Sequence, residues 1–484
     1  QSVLVISAII IITVFAIHKV AEVNSIAALA SKVTGTTNWA SSSLEWKVKM
    51  PAGYESYQDL TLLVFFYFLR NLFIGISSAG ADPKYFGARS ERECGTLTFL
   101  WTSLMTFRWP MMIGFAVLGI FMTSDLFPDN AKLVQAAALI KTYVPGVTRE
   151  QWPQVVASIM HSPGSFAPGL ISGIKNIFIS NWQTKLHLLS FDGTVNTEKM
   201  LPAVILYYFP MGIRGLLLVA FVAAAISSFN SRINTTAGYF TNDIYRNYLR
   251  PKAKDKELLF ISYVFIILLV IIGYILAYNV HSITQIWGWI IMGLGGGLAI
   301  PGLLTFYWWR YNGEGFAVGT TVGMIVAILH PVLFPDLVEW QQFLLVSVFS
   351  LTAAIIGTFL TSPADENIVR NFYEQTRPFG LWNKYKNRLA KDIRTKMELE
   401  HKNNLLAVPF VLGWQITMFL LPMQLIIKSY NDFFVTFGIF AICGCGMYWF
   451  WYRNLPPKEF PNKDVLYKAP ISENIIVESS ICKD

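Results

Sequence analysis

Charge is scarce in this sequence. Only 14% of its 484 residues are Asp, Glu, Lys or Arg, where a soluble domain carries roughly 25%, so a water-facing shell cannot be assembled from this chain. Cysteine is scarce too: Cys94, Cys443, Cys445 and Cys482 show neither zinc spacing nor a disulfide framework and read as inert thiols. The sequence has no paired carboxylates, nucleophile elbow, phosphate loop or metal-ligand cluster, which argues against an enzyme. A ring of carboxylates or a filter-like run, the marks of a channel, is also missing. Alternating strands of the outer-membrane type do not occur.

What is abundant is apolar length. Hydrophobic residues make up 54% of the chain, gathered into about ten runs of roughly 18 to 28 residues, the length a helix needs to cross a hydrocarbon core of about 30 Å. The runs fall at 2–18, 58–78, 96–124, 204–229, 257–279, 284–309, 315–335, 341–361, 407–428 and 433–452. Helices satisfy their backbone groups internally in lipid. The expected fold is therefore all-α, a polytopic membrane helix bundle. The chain opens at Gln1 without a methionine or a basic n-region and enters an apolar run at once, which reads as a fragment lacking its N-terminal part.

The net charge of +8 is a topology signal and not a nucleic-acid patch. If the first span runs outward, the inner connections 79–95, 230–256, 310–314 and 362–406 collect the basic clusters, Arg370 to Lys402 being the densest, as the positive-inside rule expects. Trp308, Trp309 and Tyr311 around Arg310, and Trp449 and Trp451 before Arg453, mark helix ends at the interface. The segment 125–203 carries Pro145, Pro153, Pro163 and Pro168 with two weakly amphipathic stretches; it is either a cap of short helices or a loop. A tail follows from 453. Arg108, Arg214 and His330 lie toward span ends, where snorkelling or interface anchoring is expected.

One run changes character along its length. Leu216 to Asp243 reads LLLVAFVAAAISSFNSRINTTAGYFTND, apolar at first, then small and hydroxyl-rich, with no proline to break a helix. Ala224, Ser227, Ser228 and Ser231 are spaced i, i+3, i+4, i+7, so they share one face, which Thr235 continues. Hydroxyl oxygens suit a hard cation such as sodium. Small and hydroxyl residues also let membrane helices pack closely, so both readings stand on spacing alone.

The stretch Pro210 to Glu257 resembles the sodium:solute symporter family, which includes sodium/glucose, sodium/proline and sialic acid transporters. The likeness is carried by Pro210, Arg214 with Gly215, Ala223 to Ala225, Ser227 with Ser228, and Asp243-Ile244-Tyr245. FGARSERE (Phe86 to Glu93), WWRYNGEGFAVGTTVG (Trp308 to Gly323) and TRPFGLW (Thr376 to Trp382) are similar to that family's connecting loops. The resemblance implies a LeuT-type inverted-repeat fold: 1–18 as the last helix of one repeat, 58–309 as the other, 310–452 as peripheral helices and 453–484 as a cytoplasmic tail. It implies a sodium-coupled symporter in a cell membrane, working by alternating access, with no cofactor beyond the coupling ion. Its partners would be sodium, a small-molecule solute and the lipid bilayer. Ala224 would lend sodium a backbone carbonyl, Ser227 and Ser228 hydroxyls, and Ser231 a further one.

For the solute, 58–78 places Arg70 and Asn71 deep in an apolar run. A charge there costs about 2.5 to 3.5 kcal/mol on insertion scales, so Arg70 needs a partner or water, whether its role is functional or structural. By resemblance Asn71 falls where sugar-carrying members have a solute-binding asparagine, which favours a sugar-like solute, although Ile74 stands where they have a gating tyrosine. Gln285 is a further candidate for the solute. Gly293, Gly295, Gly296 and Gly297 could form a flexible point for gating or a close helix contact. The rival class is a transporter-like sensor or scaffold, for which no signalling domain is recognisable.

Overall fold

The computed structural model describes residues 2–36, 39, 45–48, 50, 55–78, 85, 87–106, 108–278, 283–334 and 337–455. Cys482 and the tail from 456 lie outside them. In chain order the α-helices are α1 (Ser2–Ala21), α2 (Ile26–Thr34), α3 (Leu60–Ser78), α4 (Glu91–Met105), α5 (Arg108–Leu126), α6 (Ala131–Tyr143), α7 (Trp152–His161), α8 (Pro168–Phe178), α9 (Trp182–His187) and α10 (Met200–Tyr208). Next come α11 (Met211–Tyr239), α12 (Asp255–Tyr278), α13 (Ile283–Gly288), α14 (Gly295–Tyr307), α15 (Gly313–Leu333), α16 (Glu339–Leu360), α17 (Glu366–Thr376), α18 (Asn383–Lys386), α19 (Lys391–Ile426) and α20 (Tyr430–Phe450). Among the described residues, ten spans are long and apolar enough to cross a membrane.

The expected span 96–124 lies within one candidate span, Glu91–Leu126, which α4 and α5 occupy. Pro110 sits in the first turn of α5, where its missing N–H removes no helical bond. The run 204–229 breaks before Pro210, and α11 then continues through Tyr239 into a π-helical stretch, Phe240–Leu249. The segment 362–406, expected as a loop, is largely helical: α17, α18 and the polar first turns of α19 occupy it. Their polar composition hid them, because no apolar run announces such helices.

Two compact units are present. In the first, residues 1–77, 108–369 and 423–429, α1 buries Ala8, Ile12, Ala16 and Val20, one face at i+4 spacing, in a core shared with α5. Gly114 permits that approach: a Cβ there would lie 3.1 Å from Ile12 Cγ2. The segment 125–203 forms helices α6 to α9. Leu170, Ile174 and Phe178 of α8 and Trp152, Val156 and Ile159 of α7 are buried together, each contributing roughly 1.5–3 kcal/mol. Trp152 Nε1 donates to the Leu189 carbonyl at 3.0 Å.

The helices α14, α15 and α16 of this unit pack closest. Gly315, Gly319 and Gly323 form an i+4 ladder on α15 that faces Thr358, Ala354 and Ser350 of α16. Asn312 caps α15 by accepting from Gly315 N at 2.9 Å, and its amide donates to Thr361 Oγ1 and the Ser362 carbonyl. Two helix-interior prolines shape the group. Pro301 and Pro331 have no N–H to give the carbonyls four residues back, those of Gly297 and Ala327. Each freed carbonyl is taken by a neighbouring helix or turn: Ser350 Oγ donates to Gly297 O at 3.1 Å, and Trp289 Nε1 to Ala327 O at 2.7 Å.

That arrangement corrects the expectation for His330. It does not snorkel; it is 2% exposed, with Nδ1 2.9 Å from the same Ala327 carbonyl, because the oxygen released by Pro331 offers it an interior partner. Arg214 is half-buried and donates from Nε to the Phe209 carbonyl. Arg108 keeps its anchoring place, exposed, 4.8 Å over the Trp109 ring.

The second unit, residues 78–107, 370–422 and 430–484, contains α4, α20 and most of α19. Phe99 stacks on Trp414 at 5.2 Å, and Phe410 on Phe450 at 5.5 Å. Tyr373 and Trp382 stack at 5.2 Å over Tyr385, all three buried. Burial pushes the Tyr373 hydroxyl up from its ordinary pKa. Cys94, Cys443 and Cys445 are free thiols.

Candidate functional site

The first half of α11 is tied down and the second half is open. Leu217 and Ala220 are buried in the core that α1 and α5 share. Beyond them, Ala224 is half-buried and Ser227, Ser228 and Ser231 are exposed, flanked by exposed Val222, Ile226 and Phe229. The helix is regular through Tyr239. An α-helical carbonyl is already bonded four residues ahead, so Ala224 has only its second lone pair to offer an ion. The hydroxyls of Ser227 and Ser228 are the freer oxygens. Thr235, on the same stripe, returns its hydroxyl to the Ser231 carbonyl at 2.8 Å.

Arg70 and Asn71 form a second polar group on α3. Arg70 Nε donates to the Ile291 carbonyl at 3.1 Å, and an Arg70 terminal nitrogen donates to Asn71 Oδ1 at 2.7 Å. Ile291 belongs to the π-helical turn Trp289–Leu294 between α13 and α14; such turns loosen the regular ladder and leave carbonyls to outside donors. One turn before Arg70, the Tyr67 hydroxyl donates to Glu339 Oε2 at 2.6 Å at the start of α16, while Phe66 stacks on Trp340 at 5.5 Å. These two contacts fix the height of α3 against α16.

The sequence therefore placed Arg70 and Asn71 side by side, and Ala224, Ser227, Ser228 and Ser231 on one face. Among the described residues no hydrogen bond joins the two groups. Gln285 lies in α13, and its side chain is outside the described residues. Tyr67, Glu339 and the Ile291 carbonyl were missed, and Gly295 was singled out for gating or packing without its place beside Arg70. Nothing local signals a carbonyl partner 221 residues away, but Tyr67 and Arg70, at i and i+3 in an apolar run, could have been read as one polar face.

Residues 190–323 match the sodium:solute symporter family. Over this stretch the chain is similar to that family. The stretch contains α11 with its hydroxyl stripe, the turn that holds Arg70, and the glycine ladder of α15. An osmoregulated proline transporter of Bacillus subtilis is 35% identical over 118 residues, 24% of each chain. The sodium/myo-inositol cotransporter 2 of Sus scrofa is 32% identical over 138 residues, 27% of this chain and 20% of its own. A sodium/glucose cotransporter of Vibrio parahaemolyticus is 24% identical over 244 residues, 49% of this chain and 42% of its own. The matched stretches thus span between a fifth and about two fifths of these relatives' lengths. With that family match and ten apolar spans among the described residues, the chain is a multi-pass membrane protein.

Proposed function

We propose that the protein is a sodium-coupled symporter that carries a small polar organic solute by alternating access. One observation carries this reading: the family-matched stretch 190–323 includes the helix that carries half-buried Ala224 and exposed Ser227 and Ser228 on one stripe. In this reading those three oxygens, with Ser231 as a further ligand, hold sodium. Arg70, Asn71 and Gln285 face the solute. Residues 58–309 form one repeat of a LeuT-type inverted pair, and 1–18 ends the other. Sodium favours the outward-open state, solute closes the outer gate, and both leave inside. Moving one charge down roughly 100 mV is worth about 2.3 kcal/mol, near 50-fold accumulation, before any sodium gradient is counted.

The relatives named for proline, glucose and myo-inositol transport support the coarse class; they leave open whether the solute is sugar-like. The test is uptake into proteoliposomes with sodium, then with potassium in its place. Ser228→Ala is expected to raise the half-activating sodium concentration about tenfold, the loss of one hydrogen-bond-class ligand to a charge. Unchanged sodium activation in that variant would remove the stripe from the mechanism.

A further inference from the structure

We infer that the solute carries a carboxylate and that Arg70 takes it. The inference rests on the symport reading above and deepens it. Arg70 sits in the middle of α3, inside a candidate span, and its guanidinium stays charged. Both of its partners are neutral: the Ile291 carbonyl and the Asn71 amide oxygen. The carboxylate that α16 brings to this face, Glu339, accepts from the Tyr67 hydroxyl and forms no ion pair with Arg70. Among the described residues no carboxylate lies within ion-pair distance of Arg70, so none of them supplies its positive charge with a counter-ion.

The guanidinium is also fixed in place. Its Nε is held by a backbone carbonyl, and the group lies against Gly295, where a Cβ would come within 3.1 Å of Nε and 3.5 Å of a terminal nitrogen. A side chain at 295 would press on the guanidinium. Of the five N–H donors of an arginine, two are used. The three others, all on the terminal nitrogens, have no partner among the described residues. That end is the fork that matches the two oxygens of a carboxylate.

Asn71 adds to the same polarity. A guanidinium only donates, so the Asn71 oxygen must face it, and its two amide N–H groups turn the other way. Together the pair offers donors and a positive charge. A neutral polyol would accept from these donors but leave the charge uncompensated in a span, where charge is expensive. A carboxylate answers both. The sugar-like solute favoured by Asn71 alone is therefore displaced by an acid.

The test is a panel of matched probes in proteoliposomes with an inward sodium gradient: lactate against lactamide, gluconate against glucose, proline, myo-inositol, and inorganic phosphate. At least one carboxylate is expected to enter tenfold faster than its neutral match. Arg70→Lys, which keeps the charge but loses the fork, should raise that probe's half-saturating concentration at least tenfold while its sodium activation stays unchanged. Thermal unfolding of the purified variant establishes that it is folded; Gly295→Ala, which pushes on the guanidinium and leaves it charged, should shift the same constant in the same direction. Sodium-driven entry of glucose or myo-inositol with the acids excluded overturns the inference and leaves the symport reading standing. Phosphate entering in preference to the acids overturns the carboxylate assignment. Sodium-independent behaviour of every probe overturns both.

Discussion

Two parts of the first compact unit are built from the same small and hydroxyl-bearing residues and differ in what covers them. In the α14, α15 and α16 group, Gly297, Gly323 and Ser350 are pressed together: a Cβ on Gly323 would lie 2.7 Å from the Gly297 Cα, and Ser350 is fully buried. On the second half of α11, Ser227, Ser228 and Ser231 are exposed. Composition and helical spacing describe both. Burial separates them: the first is a contact between backbones, and the second is a row of hydroxyls that no described residue covers. The glycines at 293 and 295–297, open at the outset to a gating or a packing reading, sort themselves by neighbour. Gly296 and Gly297 admit α16 and α15, and Gly295 admits the Arg70 guanidinium.

The comparison breaks most readily at Gly323. Valine there would collide with backbone on α14, which cannot turn aside as a side chain can. The expected loss is about 3 kcal/mol, read as a fall in the thermal unfolding midpoint of the purified protein or as loss of the monodisperse peak. An unchanged midpoint would mean that α14 and α15 are not in backbone contact.

Ser350→Ala is the next step down. Its hydroxyl has a single hydrogen for two carbonyls, Gly297 O at 3.1 Å and Gly319 O at 3.0 Å. Gly297 O is the one with no helical donor, because Pro301 stands four residues on. Removing the hydroxyl should cost about 0.6 to 1 kcal/mol, the scale of interhelical bonds in membrane proteins. The variant Pro301→Ala, which restores the N–H, should recover part of it in the Ser350→Ala background. A double-mutant cycle with zero coupling would separate the two residues.

These pairings also mark how far the sequence could be read. The spans were legible because an apolar run of 18 or more residues has few other uses. The shared face of Ala224, Ser227, Ser228 and Ser231 was legible because it needs only helical periodicity and an absence of proline. The polar helix α17 was missed because Glu366–Thr376 carries no long apolar run. The glycine ladder was visible as letters, within WWRYNGEGFAVGTTVG, but its meaning depends on Ala354 and Ser350 arriving from the next helix. Arg70 declared itself as costly; that its partners are a π-turn carbonyl and a glycine-lined wall is long-range information that no local pattern contains.

The smallest expected effect sharpens the comparison from the other side. If the stripe on α11 is a ligand face and not a packing face, Ser227→Ala and Ser228→Ala together should leave the unfolding midpoint almost unmoved in potassium, within about 0.5 kcal/mol, as for exposed positions that support no neighbour. Sodium should then stabilise the parent protein and not the double variant, since a ligand that binds only the folded state adds to its stability by mass action. The same salt comparison applied to Ser350→Ala should show parent-like sodium stabilisation over a lowered baseline. A double variant that unfolds easily in both salts would instead assign Ser227 and Ser228 to helix packing, and α11 would join the α14 to α16 group as a surface made for a neighbouring helix.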